Sequence, residues 1–328
     1  MQVMVTGGAG YIGSHTVKEL LRAGYGVTVL DDLSRGNRAV ARLLPQAEFV
    51  WGDIADRELV GGLLGSRGIA AVLHFAALSI VGESVADPAL YYRNNVVKGL
   101  ALLEAVREAG VPYFIFSSTA AVYGEPVQVP VAEDHPLVPT NPYGATKLAF
   151  EEALRWYGAA YGLRYISLRY FNAAGADPEG VLGEDHRPET HLIPVVLQAA
   201  LGLREAVAVF GTDYPTPDGT CIRDYIHVTD LAAAHVLALE ALAAGHPPGV
   251  YNLGNERGAS VREVIETARR VTGQDFRVVE EARRPGDPAV LVASSQRIKE
   301  ELGWRPCYGD LATIIQTAWE WYRRQVEA

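Results

Sequence analysis

A glycine-rich turn near the start of the chain constrains the fold more than any other feature of the sequence. The short apolar run at residues 3–6 leads into a turn that contains Gly7, Gly10 and Gly13, and a helical pattern begins at Ser14. Glycines at this spacing permit a tight turn and let backbone N–H groups approach a pyrophosphate, which the positive end of a helix also attracts. A second apolar run at residues 27–30 follows, so the segment is predicted to be a βαβ unit.

The rest of the first half continues the same alternation of short apolar runs and helical patterns. The further strand candidates are residues 47–51, 71–75, 113–117 and 165–169. Alternation of this kind predicts a parallel sheet that is covered by helices on both faces. We therefore predict an α/β fold, with a Rossmann-type doubly wound parallel sheet and a smaller α/β substrate-binding domain.

The character of the sequence changes after about residue 172, because long polar loops now interrupt the elements. Residues 172–189 and 211–219 are rich in Gly, Pro and Asp. Helical patterns recur at residues 192–202, 230–244 and 260–272. We predict an NAD-binding domain over residues 1–172, to which part of 225–255 returns, and a domain over 173–328 that mainly binds the substrate. A cleft at the carboxyl ends of the strands would lie between them.

Charge and composition exclude several classes of partner. The 328 residues carry 29 Lys and Arg against 39 Asp and Glu, a net charge of −10, which is unsuited to gripping nucleic acid through its phosphates. We find no signal peptide and no apolar run near the ~18 residues of a transmembrane helix. Cys221 and Cys307 cannot form a disulfide framework, and the scattered histidines match no metal-binding motif. We expect a cytoplasmic protein without a metal or a membrane partner.

An aspartate at the end of the second predicted strand indicates which dinucleotide would bind. Asp31 follows Gly13 by 18 residues, and a carboxylate at this point accepts hydrogen bonds from a ribose diol. It would repel a 2′-phosphate, so NAD is favoured over NADP. Asp53 ends the next strand and would either meet the adenine or form an ordinary turn at the strand end.

A tyrosine and a lysine supply the candidate chemistry. Asn141 and Pro142 are typical of a helix start, so Tyr143 and Lys147 are predicted to lie on one helical face. A phenol is a poor base because its pKa is near 10, but a neighbouring ammonium stabilises the phenolate and lowers that pKa. Thr119 follows a strand near the middle of the chain, where its hydroxyl could join Tyr143 at a reacting alcohol.

These features, in this order, resemble the extended short-chain dehydrogenase/reductase superfamily over essentially the whole chain. Further stretches resemble the UDP-glucose 4-epimerase (UDP-galactose 4-epimerase) family within it. The most specific is the chemically arbitrary run Phe-Gly-Thr-Asp-Tyr-Pro-Thr-Pro-Asp-Gly-Thr at residues 210–220. The other stretches are residues 74–77, 81–84, 91–96, 168–172, 183–185, 223–228 and 251–254.

The resemblance implies an isomerase of galactose metabolism. Tyr143 would take the proton from the 4-hydroxyl of the sugar while hydride passes from carbon 4 to NAD, and Thr119 would hydrogen-bond that oxygen. Lys147 would bind the nicotinamide ribose and lower the pKa of Tyr143. The 4-keto sugar would then swing about its bond to the UDP pyrophosphate and receive the hydride on its other face.

The resemblance also implies two sets of contact residues. Those for NAD, besides the three catalytic residues, are Gly7, Gly10, Tyr11, Ile12, Gly13, Asp31, Asp32, Asp53, Ile54, Phe75, Ala76, Asn94 and Phe171. Those for the UDP-sugar, besides Thr119 and Tyr143, are Asn172, His191, Leu192, Ala208, Phe210, Arg223, Tyr225, Val261, Arg284, Asp287 and Leu291. Arg223 and Arg284 suit the pyrophosphate because a guanidinium donates in a bidentate fashion.

Three positions depart from common members of the family. Ser79 stands where a lysine near the cofactor is found, which would weaken retention of NAD. His191 stands where an asparagine often lies, and it would either donate to the ligand or be an ordinary loop histidine. Leu291 lies between the family's Tyr and Cys in size. We therefore expect a preference for UDP-glucose and UDP-galactose with some activity on N-acetylated substrates.

Several alternatives remain from the sequence. A dehydratase is disfavoured, because Ala120 and Ala121 stand where its acidic proton shuttle would be. A 4-epimerase that acts mainly on UDP-N-acetylglucosamine or on a UDP-pentose stays open, as does a non-enzymatic NAD-responsive binding protein on the same fold. The resemblance also implies a homodimer that forms through a four-helix bundle. The candidate helices are 89–109 and 143–161, whose apolar faces exceed what the exterior of a monomer should show, and an ordinary core is the alternative explanation for these faces.

Overall fold

A seven-stranded parallel sheet forms the centre of the computed structural model, which describes residues 1–284 and 286–327. The strands are β1 Gln2–Thr6, β2 Gly26–Asp31, β3 Glu48–Trp51, β4 Ile69–His74, β5 Tyr113–Thr119, β6 Arg164–Tyr170, β7 Asn172–Ala174, β8 Val207–Phe210, β9 Ile222–His227, β10 Gly249–Leu253, β11 Gly258–Ser260, β12 Val278–Glu281 and β13 Val290–Leu291. The order of the large sheet is β10-β6-β5-β4-β1-β2-β3, and every neighbouring pair is parallel. The predicted α/β class and doubly wound sheet are confirmed.

Helices connect the strands and cover the sheet. They are α1 Tyr11–Arg22, α2 Val40–Leu43, α3 Arg57–Ser66, α4 Val81–Ala86, α5 Pro88–Tyr91, α6 Gly99–Glu108, α7 Pro142–Tyr161, α8 Leu192–Ala200, α9 Val228–Ala243, α10 Val261–Thr272, α11 Gln296–Glu301 and α12 Leu311–Glu327. Among the helices of the described residues, none combines the length and the apolar character needed to cross a membrane.

The helix boundaries follow the local signals in the sequence. Gly24 has a φ of +81° just beyond α1, as expected for the residue that ends a helix. Ser260 and Glu263 form a capping box at the start of α10, where a helical pattern was predicted. The segment predicted as one helix at 89–109 differs, because a π-helical turn at Tyr92–Lys98 separates α5 from α6. Such turns are frequent at functional sites, and this one adjoins the loop after β4.

The second half of the chain builds two smaller sheets at the carboxyl edge of the large one. The strand β9 lies between β11 and β13 and also pairs with β7, while β8 and β12 form a separate parallel pair. The strand β10 returns to the large sheet beside β6. The Tyr11 hydroxyl at the start of α1 donates to the Gly175 carbonyl in the loop after β7, so this loop lies at the edge where β1 ends.

Fully buried aliphatic side chains stabilise the large sheet. Val3, Val5, Leu73 and Ile115 lie on its central strands and are excluded from solvent. Burying a side chain of this size contributes about 1.5–3 kcal/mol relative to leaving it exposed. The central strands are therefore a rigid support for the loops at their carboxyl ends.

Candidate active site

The glycine-rich turn between β1 and α1 lies directly against the loop that follows β4. Gly7 has a φ of +73°, and a Cβ atom at this position would lie 2.6 Å from the backbone nitrogen of Ala76. The Phe75 N–H donates to the Thr6 carbonyl at 2.9 Å, which fixes the two loops together. Only glycine fits at position 7, since any side chain there would push Phe75 and Ala76 away.

The first turn of α1 presents free backbone donors at this edge of the sheet. Gly10 is the N-cap residue, and within the described ranges no side chain caps the helix and no acidic residue lies in its first turn. The uncapped N–H groups and the positive end of the helix dipole suit an anion. The turn therefore fits the pyrophosphate of a dinucleotide, with Tyr11, Ile12 and Gly13 at the helix start.

The carboxylate of Asp31 lies at the end of β2, where the sequence predicted it. Its oxygens accept hydrogen bonds from the Ala9 N–H at 3.0 Å and from the Leu33 N–H at 2.8 Å. Burial raises the pKa of Asp31, and these two hydrogen bonds offset part of that rise. Asp31 thus holds the glycine-rich turn in shape. The exposed Asp32 accepts from the Ser34 N–H at 2.8 Å.

The carboxylate of Asp53 makes two contacts within the protein. It accepts from the Ala55 N–H at 2.9 Å and pairs with the Lys98 ammonium at 2.5 Å. Burial acts to raise the pKa of Asp53, but Lys98 outweighs it and the pKa is lowered. These contacts are those of a strand-end turn, and the contact of Asp53 with the adenine stays a prediction. The neighbouring Ile54 is buried.

Asn95 positions the loop after β4, and it was not among the residues predicted from the sequence. Its side-chain oxygen accepts from the Leu78 N–H at 2.9 Å, while its amide donates to the Leu78 carbonyl at 3.0 Å and to the Thr146 hydroxyl at 3.1 Å. The predicted contact residue Asn94 donates to Asn95 from the π-helical turn. Asn95 therefore ties the 75–78 loop to α7, the helix that carries Tyr143. The hint in the sequence was a second asparagine directly after Asn94, inside a helical pattern.

Close packing of α7 on β5 brings the candidate catalytic residues together. Asn141 caps α7 by accepting from the Gly144 N–H at 2.9 Å, which confirms the predicted helix start. Gly144 lies so near the end of β5 that a Cβ atom there would be 2.4 Å from the Ala121 carbonyl oxygen. Because the backbones approach so closely, Tyr143 on α7 faces Thr119 at the carboxyl end of β5.

The lysine of this group is buried and faces the tyrosine. The Lys147 ammonium donates to the Ser117 carbonyl at 2.7 Å and lies 6.0 Å from the centroid of the Tyr143 ring. Burial lowers the pKa of Lys147 to about 7, against the opposing effect of the Glu151 carboxylate.

Burial is the main influence on the pKa of Tyr143. It raises this pKa, and the hydroxyl of Thr119 offsets only part of the rise. The Lys147 ammonium donates to the Ser117 carbonyl and lies beside the ring of Tyr143. A lowering of the Tyr143 pKa by Lys147 together with the positive charge of bound NAD stays a prediction.

A buried ion pair supports this part of the site, and it was not foreseen from the sequence. Glu151, one turn after Lys147, accepts from the Arg169 Nε at 2.9 Å and Nη2 at 2.5 Å, and it also accepts from the Ser118 hydroxyl. Arg169 in turn donates to the Tyr123 hydroxyl at 3.0 Å. The network joins β5, β6 and α7 beneath the catalytic residues.

Two arginines that were predicted to hold a pyrophosphate lie around one aspartate. Arg223 on β9 donates to the Pro288 carbonyl at 2.7 Å and lies 3.4 Å from Asp287. The Arg284 Nε lies 3.1 Å from the same carboxylate, and its guanidinium is 4.6 Å from the centroid of the Phe210 ring. Asp287 thus holds the like charges of Arg223 and Arg284 close together.

The other predicted substrate residues fall on the elements that surround these arginines. Leu291 on β13 pairs with Arg223 on β9 and packs on a cluster that contains Phe171. The Asn172 amide donates to the Asp224 carbonyl at 3.1 Å. The remaining positions are Ala208 on β8, Tyr225 on β9, and Leu192 and Val261 as the first residues of α8 and α10.

His191 contacts an acidic group of the protein. Its Nδ1 lies 2.5 Å from Glu184. Partial burial of the ring acts to lower the pKa of His191, but the Glu184 carboxylate outweighs this effect, and the pKa is raised. His191 is the N-cap residue of α8, and its side chain is half-exposed. Nearby, the Tyr11 hydroxyl donates to the Gly175 carbonyl at 2.7 Å, joining α1 to the loop after β7.

Comparisons with known proteins find relatives along the whole chain. Residues 3–254 match the NAD dependent epimerase/dehydratase family. The chain is 55% identical over 323 residues to the UDP-glucose 4-epimerase of Halalkalibacterium halodurans, covering 98% of this chain and 96% of that protein. The structure of UDP-glucose 4-epimerase from Brucella ovis in complex with NAD has a TM-score of 0.94 at 50% identity, with 97% of both chains covered. The Bifidobacterium longum enzyme in complex with NAD+ and UDP has a TM-score of 0.95 at 38% identity, with 99% of both covered.

The relatives agree with the geometry of the site. They cover both the glycine-rich turn and the arginine pair, which lie in different halves of the chain. Their similarity to this protein extends over nearly the full length of the chain. The sequence identities are well above the level at which two proteins share only a fold. The chain belongs to the NAD dependent epimerase/dehydratase family and, within it, to the UDP-glucose 4-epimerases.

Proposed function

We propose that the protein interconverts UDP-glucose and UDP-galactose by NAD-dependent epimerisation at carbon 4 of the sugar, a reaction of galactose metabolism. The observation that carries the proposal is the meeting of Thr119, Tyr143 and Lys147 at the carboxyl edge of the sheet, beside the uncapped start of α1. The full-length likeness to UDP-glucose 4-epimerases supports the same reaction.

The residues that would hold the cofactor form one continuous surface. The pyrophosphate would lie on the first turn of α1, next to Gly7 and Gly10, and the adenine ribose near Asp31. When bound, NAD accepts the hydride from carbon 4 and supplies it again for the return step. A negative charge at position 31 disfavours the extra phosphate of NADP.

Tyr143 is the proposed base and acid. It would take the proton from the 4-hydroxyl, with Thr119 donating to the same oxygen, and would return the proton once the sugar has turned. Burial alone raises the pKa of Tyr143, so a further positive charge must lower it before it can act as a base. Protonated Lys147 beside its ring contributes to that charge.

Epimerisation needs a firm hold on the nucleotide and a loose hold on the sugar. Arg223 and Arg284 would bind the pyrophosphate, with Asp287 setting their positions, while the 4-keto sugar turns about its link to UDP. The uridine would lie among Leu192, Ala208 and Phe210. These contacts lie on β8, β9 and α8, away from the sugar.

The experiment is incubation of the purified protein with UDP-galactose, without added NAD, while UDP-glucose is measured by chromatography. We expect interconversion, with NAD released on denaturation. Tyr143→Phe should abolish turnover and retain NAD. Normal turnover by Tyr143→Phe would mean that the base is assigned wrongly. NAD binding without any conversion would favour the binding-protein alternative.

Leu291 supports a second substrate class. It adjoins Arg223 across the β9–β13 pair and packs on the cluster around Phe171, close to the predicted position of the sugar. Its intermediate size supports some turnover of UDP-N-acetylglucosamine beside the main substrates. An enzyme that acts mainly on N-acetylated sugars or on a UDP-pentose is the alternative that a panel of UDP-sugars would distinguish.

Assembly as a homodimer is supported by apolar side chains on the helices around α7. Val85, Val97, Trp156 and Tyr161 are each more than half exposed, on α4, the π-helical turn and α7. Pairing of these helices with those of a second copy would cover them. Light scattering at micromolar concentration should give twice the chain mass, and a monomeric mass would contradict the proposal.

We further infer a cytoplasmic enzyme in which a domain over 1–172, joined by part of 225–255, binds NAD and a domain over 173–328 mainly binds UDP. Free Cys221 and Cys307 are compatible with a reducing compartment. The return of β10 to the large sheet supports this division of the chain. The net charge of −10 argues against nucleic acid as a partner.

A further inference from the structure

Four potential metal ligands converge between β7 and α8, outside the catalytic group. They are Glu184, His186, Glu189 and His191, and one ligand atom from each lies within 4.8 Å of the others. The Nδ1 atoms of both histidines point at the same Glu184 oxygen, at distances of 3.0 Å and 2.5 Å. The sequence predicted no metal, because the spacing of these residues matches no contiguous motif.

One oxygen of this group is buried without a hydrogen-bond donor. Glu189 Oε1 accepts from the Thr190 and His191 N–H groups at 2.7 Å and 2.8 Å. Within the described part of the chain Glu189 Oε2 has no partner, although its side chain is only 3% exposed and it lies 3.9 Å from His186 Nδ1. A buried carboxylate oxygen left in this state is costly unless a cation or a donor satisfies it.

The composition of the group also suits a cation. Glu184 and Glu189 are two buried carboxylates on one short loop. The Tyr322 hydroxyl is likewise buried and without a partner among the described residues. A dication held by both carboxylates and both imidazoles would satisfy Glu189 Oε2 and would displace the proton between His191 and Glu184.

The distances fit a small tetrahedral ion. Ligand atoms at metal distances of about 2.0–2.2 Å and tetrahedral angles are separated by about 3.3 Å. Glu184 Oε1 lies 2.5 Å and 3.0 Å from the Nδ1 atoms of His191 and His186, and Glu189 Oε2 lies 3.9 Å from His186 Nδ1. These distances lie on both sides of that separation, and one ligand atom from each of the four residues lies within 4.8 Å of the others. Two imidazoles with two carboxylates form a donor set suited to Zn²⁺.

We propose that Glu184, His186, Glu189 and His191 form a Zn²⁺ site that braces the loop between β7 and α8. The ion would fix His191, the N-cap of α8, and would hold His186 against the edge of the Tyr11 ring, whose centroid is 6.1 Å away. It would therefore join the start of α8, next to Leu192, to the start of α1.

The site has a structural role in this proposal. All four protein ligands are supplied by one loop, so that no position is left for a reacting water. The ion would preorganise the wall formed by α8 and leave the chemistry to Tyr143. We expect its removal to raise the KM for the UDP-sugar more than it lowers kcat.

The test uses full-length protein without a histidine tag, stripped with a chelator and then titrated with Zn²⁺ against a chromophoric competitor. We expect one Zn²⁺ per chain, and Co²⁺ should give the intense visible absorption of a tetrahedral site. His186→Asn and Glu189→Gln should each weaken Zn²⁺ binding by at least ~10-fold, since even partners outside the ligand set alter affinity by that much. Asp185→Asn, which removes a charge from the same loop, is the matched control and should bind as the parent does.

Zn²⁺ affinity that is unchanged in both His186→Asn and Glu189→Gln would overturn the proposal, and so would less than one equivalent of bound Zn²⁺. If these variants fail to fold, the Co²⁺ spectrum of the parent protein still tests the proposal. A weak octahedral Co²⁺ spectrum there would refute the site, and a tetrahedral spectrum would support it. NAD content and circular dichroism of the stripped protein check that the chelator has not unfolded it.

Discussion

The buried pair Glu151–Arg169 offers a sharp test of how the catalytic helix is held. Glu151→Gln keeps the shape of the side chain and removes its charge, while Arg169 stays almost fully buried and cannot reach solvent. Breaking a buried ion pair from one side costs about 3–5 kcal/mol, because the remaining charge is left uncompensated. We expect a loss of that size in the free energy of unfolding.

The neighbouring Glu152 is a matched control on the same helix. Among the described residues it pairs only with Arg155, one turn away, and both side chains are about half-exposed. Glu152→Gln should cost only about 0.3–0.5 kcal/mol, the value of an exposed pair on a helix. Urea unfolding at neutral pH, followed by circular dichroism, compares the two variants with the parent.

The same substitution should act on Lys147. The Glu151 carboxylate raises the pKa of Lys147, which burial has lowered to about 7, so its removal lowers that pKa further. If protonated Lys147 is needed, the alkaline limb of the pH–activity profile moves to lower pH. A loss of stability below about 1 kcal/mol, no larger than that of an exposed pair, would refute this reasoning.

Further predictions concern the helix packing, the lysine and the sugar pocket. Gly144→Ala places a Cβ atom 2.4 Å from the Ala121 carbonyl oxygen, so we expect a loss of about 1–3 kcal/mol in urea unfolding and lower turnover; unchanged values would contradict the close approach. Because the pKa of Lys147 is about 7 in the folded chain and 10.5 ordinarily, the unfolded chain binds more protons between these values. As the pH rises over that range, the free energy of unfolding of the parent without NAD should increase by roughly 1.4 kcal/mol per pH unit relative to Lys147→Met. Parallel profiles of unfolding free energy against pH for the two proteins would contradict this. Leu291→Tyr should lower turnover of UDP-N-acetylglucosamine relative to UDP-glucose, and turnover equal to the parent's would contradict the assigned position of Leu291.

Local signals in the sequence predicted the strands of the first half and the helices α8, α9 and α10 well, but no strand after residue 172. Apolar runs bounded by turn residues became β3 to β6, and the caps at Asn141 and Ser260 lie at the starts of α7 and α10. These features depend on residues near one another in the chain. The π-helical turn at Tyr92–Lys98 was not predicted, because its side-chain pattern does not differ from that of an ordinary helix.

Features that depend on residues far apart in the chain could not be predicted from local sequence patterns. The Glu151–Arg169 pair and the Asn95 contacts with Leu78 join segments that meet only after the sheet has formed. The direction of the Tyr143 pKa shift depends on burial and on the hydrogen bond with Thr119, and neither follows from the spacing between Tyr143 and Lys147. The acidic and histidine residues at 184–191 were visible, but their convergence was not.

In the proposed reaction, carbon 4 of the sugar is epimerised by hydride transfer within the enzyme. The most direct test is conversion of UDP-galactose in D₂O without added NAD, followed by proton NMR at carbon 4. We predict that UDP-glucose forms and retains its original hydrogen at carbon 4, because a hydride held on a bound cofactor does not exchange with solvent. Deuterium at carbon 4 of the product would contradict the account, since it would mean that the centre is inverted by removing and returning a proton.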